Sequence, residues 1–268
     1  MSGGRETQAA ASLASPLLRI RDLSLRFGGI VALDAVSFTV GRGLICGLIG
    51  PNGAGKTTLF NCLSRLYRPQ SGGIAFDGRD LLAVPVHAIA ALGIGRTFQN
   101  VALFASMTVR ENVMVGGHCR SRGEFFANIV RLPFVAAEDK RLAERADALI
   151  DVLELSAVAD APVAALTFAL RKRVELARAL ATAPKLLLLD EPAGGLNHEE
   201  VDRLRALILS IRQRFDLTIL LVEHHMQLVT RVSDQVVVLN FGRKIADGTP
   251  AQVQSHPDVI SAYLGAAA

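Results

Sequence analysis

The stretch Gly50 to Thr57, GPNGAGKT, constrains this chain more than any other feature. It follows an almost wholly apolar run, Leu44 to Ile49, and opens a segment of helical character from Lys56 to about Leu66. A glycine-rich turn between a buried strand and a helix is a phosphate cradle. Glycine is needed because the backbone must curl until several N–H groups converge on phosphate oxygens. The helix N-terminus adds its own unpaired N–H groups and a partial positive charge. Gly50, Pro51, Asn52, Gly53, Ala54, Gly55, Lys56, Thr57 and Thr58 are therefore the expected nucleotide-binding residues. Lys56 is placed to reach the β- and γ-phosphates, and the Thr57 hydroxyl to bind Mg²⁺.

Such a loop works at the edge of an α/β sheet, and the remaining sequence supplies one. Leu18 to Phe27 and Asp34 to Val40 alternate apolar and polar residues, as half-buried strands do. Gly72 to Gly78 reads as an edge strand with turn residues at both ends. Leu186 to Leu189, Leu217 to Val222 and Gln235 to Asn240 are buried strands, and His198 to Phe215 is an amphipathic helix. Between Asn100 and about Thr182 strand signals give way to helix formers, and Glu138 to Leu155 carries apolar residues at helical spacing. The expected fold is α/β: a P-loop nucleotide-binding sheet core with an antiparallel β edge and an inserted, mostly helical lobe. The expected division is a disordered tail (1–16), a core (17–99 and 183–268) and a helical lobe (100–182).

Composition agrees with a compact, well-cored chain: of 268 residues half are hydrophobic and a fifth charged. The net charge of +4 is mild. With no basic stripe interleaved with aromatics, it excludes a nucleic-acid footprint. Cys46, Cys62 and Cys119 lack metal-ligand spacing and read as reduced packing residues. No stretch approaches the roughly 20 apolar residues of a membrane-crossing helix; Leu81 to Gly95 is broken by Pro85 and His87. Any membrane role must come through a partner.

The acidic partner of the phosphate loop is Asp190, delivered by LLLLD to the sheet edge as a metal-binding carboxylate. Glu191 follows, placed to act on the attacking water as general base or polariser.

Further segments, in order, resemble the ABC ATPase family. RTFQN (Arg96 to Asn100) looks like the Q-loop, which implies that Gln99 senses γ-phosphate and metal. EPAGGLN (Glu191 to Asn197) looks like Walker B running into the D-loop. VEHH (Val222 to His225) looks like the switch region, with His224 as the γ-phosphate sensor. Phe27 sits where the family places an aromatic that stacks on adenine. FGGIVALDAVSF, LYRPQSGGIAFDG, GIGRTFQNVALF, MTVRENV and HPDVISAYLG narrow the resemblance to the ATP-binding subunits of branched-chain amino acid importers. Importers for urea, short amides or aromatic acids resemble this group too. The resemblance implies an ATP- and Mg²⁺-dependent subunit, peripheral on the cytoplasmic face of the inner or plasma membrane. Its implied partners are two permease subunits, a second and different ATPase chain, and an external solute-binding protein. Val101, Leu103, Phe104 and Met107, beside the Q-loop, are candidates for docking on the permease.

One segment departs from the family pattern. Where the signature reads LSGGQ, or LSYGQ in the resembling branch, this chain reads LTFAL, Leu166 to Leu170. The family's signature faces the ATP held by the other subunit. Thr167 keeps a hydroxyl and Ala169 an N–H, but a methyl replaces a glycine hydrogen and Leu170 removes a polar side chain. If glycine-only geometry is required, the cost is on the order of 1 kcal/mol. Two functions follow as alternatives: a full transport ATPase, or an ATP-dependent dimerisation module whose opposite site hydrolyses weakly.

Overall fold

The computed structural model describes residues 16–98, 102–120 and 133–264. Gln99, Val101 and nearly all of the expected N-terminal tail lie outside the described residues. In chain order the elements are β1 (Leu18–Phe27), β2 (Ile30–Val40), β3 (Ile45–Ile49), α1 (Lys56–Leu63), β4 (Ser71–Phe76), β5 (Arg79–Asp80), α2 (Ile89–Leu92) and β6 (Ile94–Arg96). They continue with α3 (Val109–Gly117), α4 (Pro133–Val152), α5 (Phe168–Ala181), β7 (Leu186–Asp190), α6 (His198–Phe215) and β8 (Thr218–Val222). The last are α7 (Met226–Val232), β9 (Gln235–Asn240), β10 (Arg243–Gly248), α8 (Pro250–Gln254) and α9 (Pro257–Leu264). The chain forms two compact units, Met1–Ile89 with Leu188–Ala268, and Ala90–Leu187.

The first unit holds an antiparallel sheet, β2-β1-β4-β5, and a second sheet in which β10, β9, β3, β8 and β7 lie in that order. β3 is parallel to both neighbours, β8 and β9, so it occupies the middle of the parallel region. β3, β7 and β8 are buried at every position, which is why they read as near-continuous apolar runs. The strand β10 and the helices α8 and α9 that follow it lie beyond the elements expected from sequence. Val253 and Val259 bury there against Ile49, Val229, Val236, Val238 and Ala246. α1 is shorter than expected, because Arg65 turns left-handed at φ 61° and diverts the chain after Leu63. Cys46 and Cys62 are packed in this core, and burial pushes both thiols up, Cys62 to about 11. They remain protonated packing residues.

In the second unit α3, α4 and α5 pack on one another. α3 meets α5 closely enough that a Cβ on Gly116 would stand 2.1 Å from the Arg178 carbonyl oxygen. Asn112 on α3 is fully buried, yet satisfied: its amide donates to the carbonyls of Phe104 and Thr108, and its oxygen accepts from Phe104 N. That knot ties Phe104 to the start of α3 and leaves Phe104 half exposed. Glu175 of α5 is also buried and accepts from Phe98 N at 2.8 Å; burial raises its pKa, opposed by that bond and by Arg178. Among the described residues no helix is long and apolar enough to cross a membrane.

Candidate nucleotide site

The phosphate loop joins β3 to α1, and its geometry depends on glycine at two points. Gly50 has φ 150°, and a Cβ there would stand 2.1 Å from Leu239 O. Gly55 has φ 101°, and its Cβ would meet Ala32 O at 2.5 Å. β2 and β9 thus press on the loop from outside, and any side chain at either position would push it off its path. Gly55 is also the N-cap of α1, with no side-chain cap and no acidic residue in the first turn. The N–H groups of that turn are not taken by a capping side chain, which is what anion binding at a helix N-terminus requires.

Lys56 is 6% exposed. Its ammonium donates to Gly50 O at 2.7 Å and Pro51 O at 2.8 Å. An ammonium has three donors, so one remains for a further acceptor. Burial lowers the Lys56 pKa, and the carboxylates of Glu191 and Asp190 oppose that shift. Those two acids are therefore close enough to act on the loop's cation. Thr57 is exposed and Thr58 half-buried on the first turn of α1; Pro51 is half-buried, Asn52 and Gly53 exposed, and Ala54 buried.

β7 carries Asp190 to its C-terminal end, 2% exposed. Glu191 then leaves the strand with φ 49°, a left-handed conformation unusual for glutamate. Its N–H donates to Val222 O at 2.9 Å, so the ends of β7 and β8 stay joined past the last strand residue. At the end of β8 the chain presents His224, whose Nε2 lies 3.4 Å from Glu191 Oε2. The phosphate loop, Asp190, Glu191 and His224 thus come from the ends of three strands of one sheet. Hard oxygen donors, the Thr57 hydroxyl and the Asp190 carboxylate, suit Mg²⁺, which is ordinarily held by one or two protein ligands together with phosphates. Among the described residues no three His, Cys, Asp or Glu side chains converge as a metal cage.

Phe27, at the end of β1, is 45% exposed, and its ring meets Tyr67 edge-on with centroids 5.1 Å apart. Gln70 fixes the backbone beside it, donating to Arg26 O and accepting from Arg26 N. Tyr67 and Gln70 were not singled out from sequence, because their partners lie about forty residues upstream.

Thr167 is the N-cap of α5, its hydroxyl oxygen accepting from Leu170 N at 3.4 Å. Its own O–H stays available to donate. Ala169 is half-buried within α5 and does not have a positive φ. The strain that a glycine-only geometry would impose therefore does not arise, and only the methyl itself distinguishes Ala169 from glycine. The three cations behind it are held within their own unit. Arg171 donates to Leu166 O and Ala164 O, Lys172 lies over the Phe168 ring, and Arg173 pairs with Glu154.

Residues 33–194 match the family model described as ABC transporter. The chain is an ATP-binding subunit of the ABC transporter family. As in other subunits of this family, ATP is bound and hydrolysed to power transport. Membership also implies membrane permease and ATPase partners. Residues 243–268, from β10 onward, match a second model, branched-chain amino acid ATP-binding cassette transporter. The chain is 42% identical over 255 residues to the high-affinity branched-chain amino acid transport ATP-binding protein BraF of Pseudomonas aeruginosa, covering 95% of this chain and 100% of that protein. It is 41% identical, over the same shares, to LivG of Escherichia coli, which bears the same description. Among solved structures, a nucleotide-free ATP-binding cassette from an ABC transporter superposes with a TM-score of 0.80 at 29% identity, covering 92% of this chain and 98% of that one.

Proposed function

We propose that this ABC subunit powers the import of branched-chain amino acids, using Mg-ATP held at the site described above. The observation that carries the solute is the match to BraF over 95% of the chain, joined to the separate C-terminal family match. The observation that carries the chemistry is the pairing of Glu191 with His224 at 3.4 Å, with the buried Lys56 within electrostatic reach of Glu191. In this reading the P-loop N–H groups and Lys56 bind the β- and γ-phosphates. Thr57 and Asp190 would hold Mg²⁺, with Gln99 as a further contact, and a bound ion would supply charge neutralisation to the phosphates. Glu191 accepts the proton of the attacking water, and His224 holds the γ-phosphate and the Glu191 carboxylate in line. Phe27 stacks on adenine, and Thr167 and Ala169 face the nucleotide bound by the second ATPase.

The working complex would contain two permease subunits, a different second ATPase chain and an external solute-binding protein, with this chain peripheral on the cytoplasmic face of the membrane. Residues 17–99 and 183–268 would form the nucleotide core, and 100–182 the lobe. Reconstitution of the complex in vesicles tests this reading. Leucine, isoleucine and valine uptake should require ATP and Mg²⁺ and stop with Glu191→Gln. Uptake of urea, short amides or aromatic acids in place of branched-chain amino acids would reassign the solute, and ATP-independent uptake would refute the mechanism.

A further inference from the structure

β8 ends at Val222, and the residue that follows, Glu223, is fully buried. A carboxylate withdrawn from water is tolerated only where donors meet its charge. Three backbone N–H donors and one histidine ring nitrogen lie within reach of Glu223, and they come from two different loops. Oε1 accepts from Ala193 N at 2.7 Å, in the turn that follows Glu191. Oε2 accepts from His224 N at 3.1 Å and His225 N at 3.2 Å, and lies 3.1 Å from His225 Nδ1. One side chain therefore spans from the loop of His224 to the turn of Glu191, beyond the point where the strands end.

Sheet pairing alone does not require this. The ends of β7 and β8 are already joined by Glu191 N to Val222 O. The Glu223 bonds begin where that joining stops, and they act on the two segments whose side chains meet at 3.4 Å. Glu191 needs such support. A left-handed backbone at a non-glycine residue is strained and persists only when its surroundings over-determine it. The turn that holds it is closed by Gly194 N donating to Glu191 O at 3.1 Å, and Ala193, inside that turn, is the residue Glu223 grips.

We propose that Glu223 is a positioning residue for ATP hydrolysis: its carboxylate locks the turn after Glu191 to the loop of His224 and keeps these two side chains in register. The proposal rests on the reading of Glu191 and His224 as the hydrolytic pair. Glu223 itself, being buried, touches no nucleotide. Its loss should therefore leave ATP binding in place and slow the chemical step.

Glu223→Gln tests this with little change of shape, since it turns one acceptor into a donor facing N–H groups. In the complex purified with its membrane and ATPase partners, kcat at the site carrying the variant should fall at least about tenfold, while KM and equilibrium ATP affinity stay within about twofold. In a Glu191→Gln background the same substitution should add little further loss, because groups that act as one unit are not additive. If Glu223→Gln does not fold, Glu223→Asp keeps the charge but is one methylene too short to span both loops, and the same results are expected. A folded variant with kcat within about twofold of wild type, or losses that multiply with those of Glu191→Gln, would overturn the proposal. So would failure of both variants to fold, which would make Glu223 a structural residue only. Undiminished turnover in Glu191→Gln alone would instead overturn the underlying reading of the pair.

Discussion

Two helix N-termini in this chain are equipped in opposite ways. α1 starts at Gly55, with no side-chain cap, and its first turn follows a loop whose glycines are held by backbone contacts from β2 and β9. α5 starts at Thr167, whose hydroxyl oxygen already accepts from Leu170 N, and its next residues are Phe168, Ala169 and Leu170. A helix end with no side-chain cap presents its N–H groups to a ligand, whereas a capped one has spent part of that capacity on itself. The first is built for phosphate at full strength. The second keeps one hydroxyl donor and the dipole, and offers them beside a phenyl ring and two aliphatic side chains. The asymmetry between the two ATP sites of the proposed complex would follow from this difference, since each site would combine one chain's P-loop with the other chain's signature.

The sharpest break concerns Glu191. Glu191→Gln removes the proposed base while leaving the phosphate loop whole, so turnover at this chain's own site should fall by roughly 10²–10⁴ with ATP binding retained. Single-turnover hydrolysis and equilibrium binding on the same preparation check both halves. Lys56→Ala acts on the uncapped end itself. Losing a charge-assisted contact to phosphate should weaken ATP affinity by roughly tenfold to a hundredfold, read by titration with Mg-ATP. Affinity equal to wild type would mean that the loop, not its lysine, supplies the binding.

How much of this was legible beforehand divides along the same line. The positions of the glycine-rich loop, Asp190 and Glu191 at strand ends were readable because a buried strand writes itself as an apolar run and a carboxylate straight after it stands out. Val222 and Glu223 repeat that pattern, TILLV followed by an acid. The role of Glu223 was nevertheless hidden, because its decisive partner is Ala193, thirty residues earlier. Tyr67 escaped notice for the same reason. The signature was readable as a departure, but not its consequence. Only the backbone shows that Ala169 lies in α5 without positive φ, so glycine is not demanded there by conformation. β10, α8 and α9 carry short, ordinary patterns whose burial against Ile49 and Val238 emerges only in three dimensions.

Smaller effects sharpen the capped end. Ala169→Gly with Leu170→Gln removes a methyl and restores a polar side chain, and should raise turnover at the opposite site by about threefold to tenfold, equivalent to roughly 1 kcal/mol. The gain should survive Glu191→Gln in this chain and vanish when the partner ATPase loses its own catalytic glutamate. Smallest is Thr167→Ala. Loss of the cap should destabilise the protein by about 1 kcal/mol, a fall of roughly 2–4 °C in Tm by calorimetry. It should also slow the opposite site, because the same hydroxyl is the donor left to the nucleotide.

The most direct test of unequal sites is to inactivate them one at a time in the assembled complex and measure single-turnover ATP hydrolysis at saturating Mg-ATP. With this chain carrying Glu191→Gln, most turnover should disappear, because the intact P-loop site is lost. With only the partner ATPase's catalytic glutamate replaced, most turnover should remain. Equal losses in the two complexes would show that LTFAL is a competent signature and that the capped end of α5 does not limit its site.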